Sequence, residues 1–143
     1  MARQVSLLAC ALTVLAVLSC ASGGILAPHT APEVADDVGR AFAAGRSDVP
    51  VEGEGTVSRL LQDDVDGPRH QRFILRMSSG QTVLISHNLD IAPRVTGLSA
   101  GDQVRFKGEY VWNKLGGLVH WTHRDPAGRH AAGWLKYNGK TYQ

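Results

Sequence analysis

Beyond residue 20 the 143-residue chain contains no cysteine, its two being Cys10 and Cys20. Disulfide frameworks and thiolate metal sites are therefore excluded from the body of the protein, which must be held by its core alone. Aromatics are scarce, at 6%. No two Lys or Arg residues are adjacent, so the chain has no basic arm of the kind that grips nucleic acid. Also missing are His-Glu-x-x-His, a nucleophile elbow and a phosphate-binding glycine loop, whose spacings carry zinc-protease, hydrolase and nucleotide chemistry.

One long apolar run is present, and it lies at the start. Ser6 to Leu18 carries no charge and follows Arg3, a pattern too short and lightly flanked for a membrane span but suited to a secretory signal over residues 1–20. Val17-Leu18-Ser19-Cys20-Ala21 resembles a bacterial lipobox, in which Cys20 is lipidated and anchors the protein to the membrane. Ordinary cleavage after Ala21 is the competing reading. Residues 21–50 then read as a tether followed by a short helix over Pro32 to Ala44. Pro32 sits at the first turn, acids lie near the positive helix end, and Val34, Val38 and Phe42 form one stripe. The helix either caps a barrel or stays loose.

Charge is nearly balanced at +2 but unevenly placed. Glu33 to Asp66 has nine acids against three arginines, whereas Gly67 to Gln143 has eleven basic residues against four acids. Either the two sides neutralise each other or the second offers a face to an anionic ligand.

Residues 51–143 read as β. Alternation marks strands at Gly53–Leu61, His70–Met77, Gln81–Ser86, Gln103–Trp112 and Leu118–His123. Within the fourth strand Val104, Phe106, Gly108, Tyr110 and Trp112 share the inner face. Asn138-Gly139 between Trp134–Tyr137 and Lys140–Gln143 is a hairpin signal. The glycines of Gly53-Glu54-Gly55 permit a strongly bent first strand. The fold class expected is all-β: an OB-like five-stranded Greek-key barrel with an added C-terminal hairpin and a short N-terminal helix. The long connection after the third strand replaces the usual helix. An open sandwich is the alternative.

Arg69-His70-Gln71-Arg72-Phe73, His87-Asn88-Leu89-Asp90-x-Ala92-Pro93-Arg94, Gly108-Glu109-Tyr110-x-Trp112-Asn113 and His120-Trp121-Thr122-His123-x-Asp125-Pro126 together resemble one family. It is a set of small exported bacterial proteins known as domain of unknown function 3465. The signal implies a location outside the cytoplasm, in the periplasm or on its membrane. The resemblance spans Gly53 to Gln143. It implies no activity, substrate or functional residue.

The densest chemistry lies between His120 and Trp134. The candidate ligand-binding residues are His70, Arg72, His87, Asp90, Arg94, His120, His123, Asp125 and His130. His87, Asp90, His120 and His123 are expected to meet at one barrel rim, with Arg94 or Arg124 pointing in if the ligand is anionic. His120, His123 and His130 are the candidate ligands of zinc or another divalent metal. Spacing opposes this, since His120 and His123 on one strand point to opposite faces unless the strand ends near Thr122. The scaffold reading instead has histidines bonding nearby carbonyls and Asp125 closing the turn before Pro126. The expected function is a monomeric envelope ligand-binding domain without nucleic acid. The alternative is a metal-dependent hydrolase, with His87 and Asp90 as a general-base pair.

Overall fold

The computed structural model describes residues 36–143. The signal, the tether, Cys20 and the helix start at Pro32 lie outside them. α1 (Asp37–Ala43) begins where Asp36 accepts the Gly39 N–H at 2.7 Å. It ends where Gly45 N–H and Arg46 N–H donate to the Phe42 and Ala41 carbonyls, a Schellman-type close. Val38 and Ala41 are buried in the core and Phe42 packs at its edge, so the helix is docked.

Seven strands follow: β1 (Val49–Leu60), β2 (His70–Met77), β3 (Thr82–Asn88), β4 (Gln103–Val111), β5 (Leu118–His120), β6 (Trp134–Tyr137) and β7 (Lys140–Tyr142). The sheet order β1-β2-β3-β5-β4 closes because β1 also pairs with β4. All these pairings are antiparallel except β3 with β5. This is the five-stranded OB-like barrel expected, and the sandwich alternative falls with the closure.

The first strand starts four residues earlier than its alternation suggested, at Val49 rather than Gly53. It needs that length because Val49 to Thr56 pairs with β4 while Gly55 to Leu60 pairs with β2. A register shift between Val57 and Arg59 accompanies the turn from one partner to the other. β6 and β7 extend the β4 edge as a hairpin. Its Asn138 and Gly139 have φ of 47° and 72°, the left-handed pair that a type I′ turn requires.

Phe73, Leu75, Val83, Ile85, Val104, Phe106, Tyr110, Val119 and Leu135 fill the interior. Trp112 departs from its expected inner position. The fourth strand ends at Val111, and the indole, 42% exposed, stacks on Phe42 at 6.3 Å and donates to the Phe42 carbonyl.

The connection from residue 89 to 102 has no helix. It plugs the barrel through buried Ala92, Val95 and Leu98. The inward Gln71 side chain holds it by donating to the Val95 carbonyl and accepting the Val95 N–H, both at 2.9 Å. Two satisfied buried groups of this kind contribute about 1 kcal/mol each, and an orphaned one costs more.

Candidate functional site

β5 is only three residues long, and the residue after it explains the local geometry. Trp121 has φ of 50°, a left-handed backbone uncommon for a bulky side chain. Left-handed backbone of this kind is held only where the surroundings over-determine it. Here two glycines do so. A Cβ at Gly133 would stand 1.9 Å from the Trp121 carbonyl oxygen, and one at Gly108 would stand 2.3 Å from that of His120. Gly133 N–H also donates to the His123 carbonyl at 3.0 Å. The chain therefore leaves the strand at Trp121 and strict alternation stops.

As a result, His120 and His123 line the same space despite their spacing. Together with His70, Ser86, Asn88 and Trp121 they surround a shallow cavity of about 190 Å³. Its floor is the outer face of the barrel. His70 and Asn88 are cross-strand partners on β2 and β3, and Ser86 lies two residues back along β3. His120 follows Val119, which pairs with Ile85.

The imidazoles differ in state. His123 is buried and donates from Nδ1 to the Arg124 carbonyl at 2.8 Å. His120 Nε2 is 3.4 Å from Glu109 Oε1, but the alignment gives no hydrogen bond and the nitrogen is sealed from solvent without a partner. Burial outweighs the neighbouring Glu109 carboxylate and lowers the His120 pKa from its ordinary value. His130 Nδ1 approaches the other Glu109 oxygen at 3.6 Å while its ring stacks on Trp121 at 3.8 Å.

The remaining candidates lie elsewhere. His87 faces into the barrel, fully buried. Its Nε2–H donates to the Pro93 carbonyl at 3.1 Å and its Nδ1 accepts from the Thr122 hydroxyl at 2.8 Å. A carbonyl can only accept, which fixes the neutral tautomer. Desolvation lowers the pKa to about 4. His87 thus ties the plug to the segment after Trp121, and its ring lies 6.4 Å from that of His123 without lining the cavity.

Asp90 accepts from Arg69 through both its backbone N–H (2.9 Å) and its guanidinium (3.0 Å). The backbone bond is the first cause of its lowered pKa. With both partners engaged, His87 and Asp90 form no general-base pair. Arg72 turns its guanidinium to the Gln62 carbonyl and Asp64, and Arg94 pairs with Asp63. Asp125 closes its turn by accepting the Ala127, Arg129 and His130 N–H groups, which lower its pKa.

Neither Arg94 nor Arg124 lines the cavity, so the anion-binding expectation finds no cation there. Nor do His120, His123 and His130 converge as metal ligands. Among the described residues no group of three or more His, Cys, Asp or Glu side chains is arranged to hold a metal ion.

Sequence reasoning missed Ser86, Asn88 and Trp121 as lining residues. Ser86 and Asn88 had a legible signal, since both fall on the outer face of the alternating third strand. The turn at Trp121 had none.

A family model described as Protein of unknown function (DUF3465) matches residues 24–143, which takes in the helix as well as the barrel. No curated protein and no solved structure matches the chain.

Proposed function

We propose that this chain, which belongs to the DUF3465 family of proteins of unknown function, is a non-enzymatic binding module for a small hydroxyl-rich ligand of the bacterial cell envelope. The observation that carries the reading is the cavity lining: three imidazoles, an amide, a hydroxyl and an indole, with no formally charged Lys, Arg, Asp or Glu. Hydrogen-bond donors and acceptors beside an aromatic surface suit a sugar-like ring, which offers hydroxyls at its edge and C–H groups on its faces. The volume fits one such ring and is well below the roughly 300–1,000 Å³ of drug-sized sites. The position agrees, since OB-type barrels bind oligosaccharides over the outer face of their second and third strands. Export by the N-terminal signal, with Cys20 as a lipid anchor, would bring the module to that ligand.

Residue-resolved NMR titration of the full chain with neutral monosaccharides, and with acetate and phosphate as anionic controls, tests the reading. Saturable shifts at Ser86, Asn88 and the Trp121 indole are expected from a neutral sugar. His120→Ala should weaken them at least tenfold. Saturation by the anions alone, or by nothing in the panel, refutes it.

A further inference from the structure

A second cavity, of about 240 Å³, opens on the same outer surface and has a different character. Its apolar wall is Leu61, Ile74, Leu84 and Leu115, and it too contains no formally charged residue. Leu115 is 81% exposed, an unusual placement for a large aliphatic side chain beside a cavity. The two cavities share β3: Leu84 borders the apolar one and Ser86 the imidazole one. Both residues are on the outward side of the strand, so they stand roughly 7 Å apart along it.

Cross-strand partners carry the path sideways. Leu84 faces Ile74 on β2 and Leu118 on β5, and all three point outward. The charged side chain of this stretch is Arg72, paired with Ser86 in register. Its guanidinium is turned to the Gln62 carbonyl and Asp64 rather than toward β3. An uncharged track therefore runs from the imidazoles to Leu115.

We propose that the two cavities are ends of one groove and that its ligand is a neutral amphiphile: a hydroxyl-rich headgroup among His70, Asn88 and His120, carrying an aliphatic chain laid over Leu84 toward Leu115. This rests on the binding reading above and names its ligand class. Each part of such a molecule meets matching chemistry, and neither cavity alone does so. A free sugar leaves the leucines wet, while a fatty acid brings a carboxylate to a lining with no Lys or Arg to receive it. Burying the chain should dominate affinity, because removal of apolar surface from water scales with the area covered.

The test titrates the ¹⁵N-labelled full chain with n-octyl β-D-glucoside below its micelle concentration, methyl β-D-glucoside and sodium octanoate. Octyl glucoside should bind at least tenfold tighter than methyl glucoside and shift both the Ser86–Asn88 amides and those of Leu84 and Leu115. Methyl glucoside should shift the first set only, and octanoate should bind more weakly than octyl glucoside. Leu115→Ser, at a position too exposed to unfold the protein, should erase most of the octyl advantage and leave methyl glucoside unchanged. If methyl glucoside binds at the imidazoles but the octyl chain adds nothing, the single groove is refuted and the binding reading survives. If octyl glucoside shifts the leucine end alone, or octanoate binds tightest, the headgroup assignment fails. If no glucoside reaches the imidazoles, both readings fall together.

Discussion

Acidification should loosen this protein through one buried side chain. His87 is fully enclosed, and both ring nitrogens are committed in the neutral form. Protonation would force Nδ1 to donate where it now accepts from Thr122, and would place a charge in the core. Its pKa accordingly falls from 6.5 to about 4. A histidine with a depressed folded pKa contributes stability that is complete above the unfolded value and is lost as pH falls from 6.5 toward 4. Each unit in that window is worth about 1.4 kcal/mol. At pH 5 the loss should reach about 2 kcal/mol, which for a domain of this size lowers Tm by on the order of 10 °C.

Exposed Asp90 and half-buried Asp125 also have lowered pKa values, but their share disappears only below about pH 4, where unfolded carboxylates titrate. His120 shifts in the same direction as His87, so the assignment needs residue resolution. Chemical denaturation at pH 7 and pH 5 gives the total, and imidazole NMR titration gives the site. His87→Gln should be less stable at pH 7 yet lose much less between the two pH values. An NMR pKa for His87 at or above 6.5, or an unchanged pH dependence in His87→Gln, refutes the reasoning.

Three further outcomes are expected. Gly133→Ala places a Cβ against the Trp121 and Lys107 carbonyls; Tm should fall by an amount corresponding to at least 2 kcal/mol, with altered Trp fluorescence, and unchanged values for both would show that the turn at Trp121 is not held this way. Gly139→Val forces a β-branched residue to a φ of 72° and should cost on the order of 1 kcal/mol or more in denaturant melts, so an unshifted midpoint would mean the hairpin adds nothing. Cys20→Ser should move the protein out of the membrane fraction on cell fractionation, whereas unchanged partitioning would dismiss the lipid anchor.

The strands were legible because one face of each is dry. Phe73, Leu75 and Met77, or Val104, Phe106 and Tyr110, repeat at the period of the pleat and lie inside. The same rule, carried two residues past Ile85, places His87 inward. Treating the third strand as finished at Ser86 instead left that histidine free to join a surface site. Trp112 erred in the opposite sense, because alternation cannot show that the strand stops at Val111. The convergence of His120 and His123 required the fifth strand to end near Thr122, and alternation cannot show where a strand stops. It depends on a left-handed tryptophan held by Gly108 and Gly133, the second of them twelve residues further along the chain.

Barrel closure is uneven. β1 meets β4 along eight residue pairs, whereas β3 meets β5 along two, Leu84 with Leu118 and Ile85 with Val119. The parallel seam is therefore where the cylinder opens at least cost, and where amide hydrogens should exchange without global unfolding. The imidazole cavity straddles that seam, with Ser86 and Asn88 on one bank and His120 on the other. A molecule held by both banks acts as a stitch across it. Its occupancy would then be readable far from the ligand, as slowed proton exchange along β3 and β5.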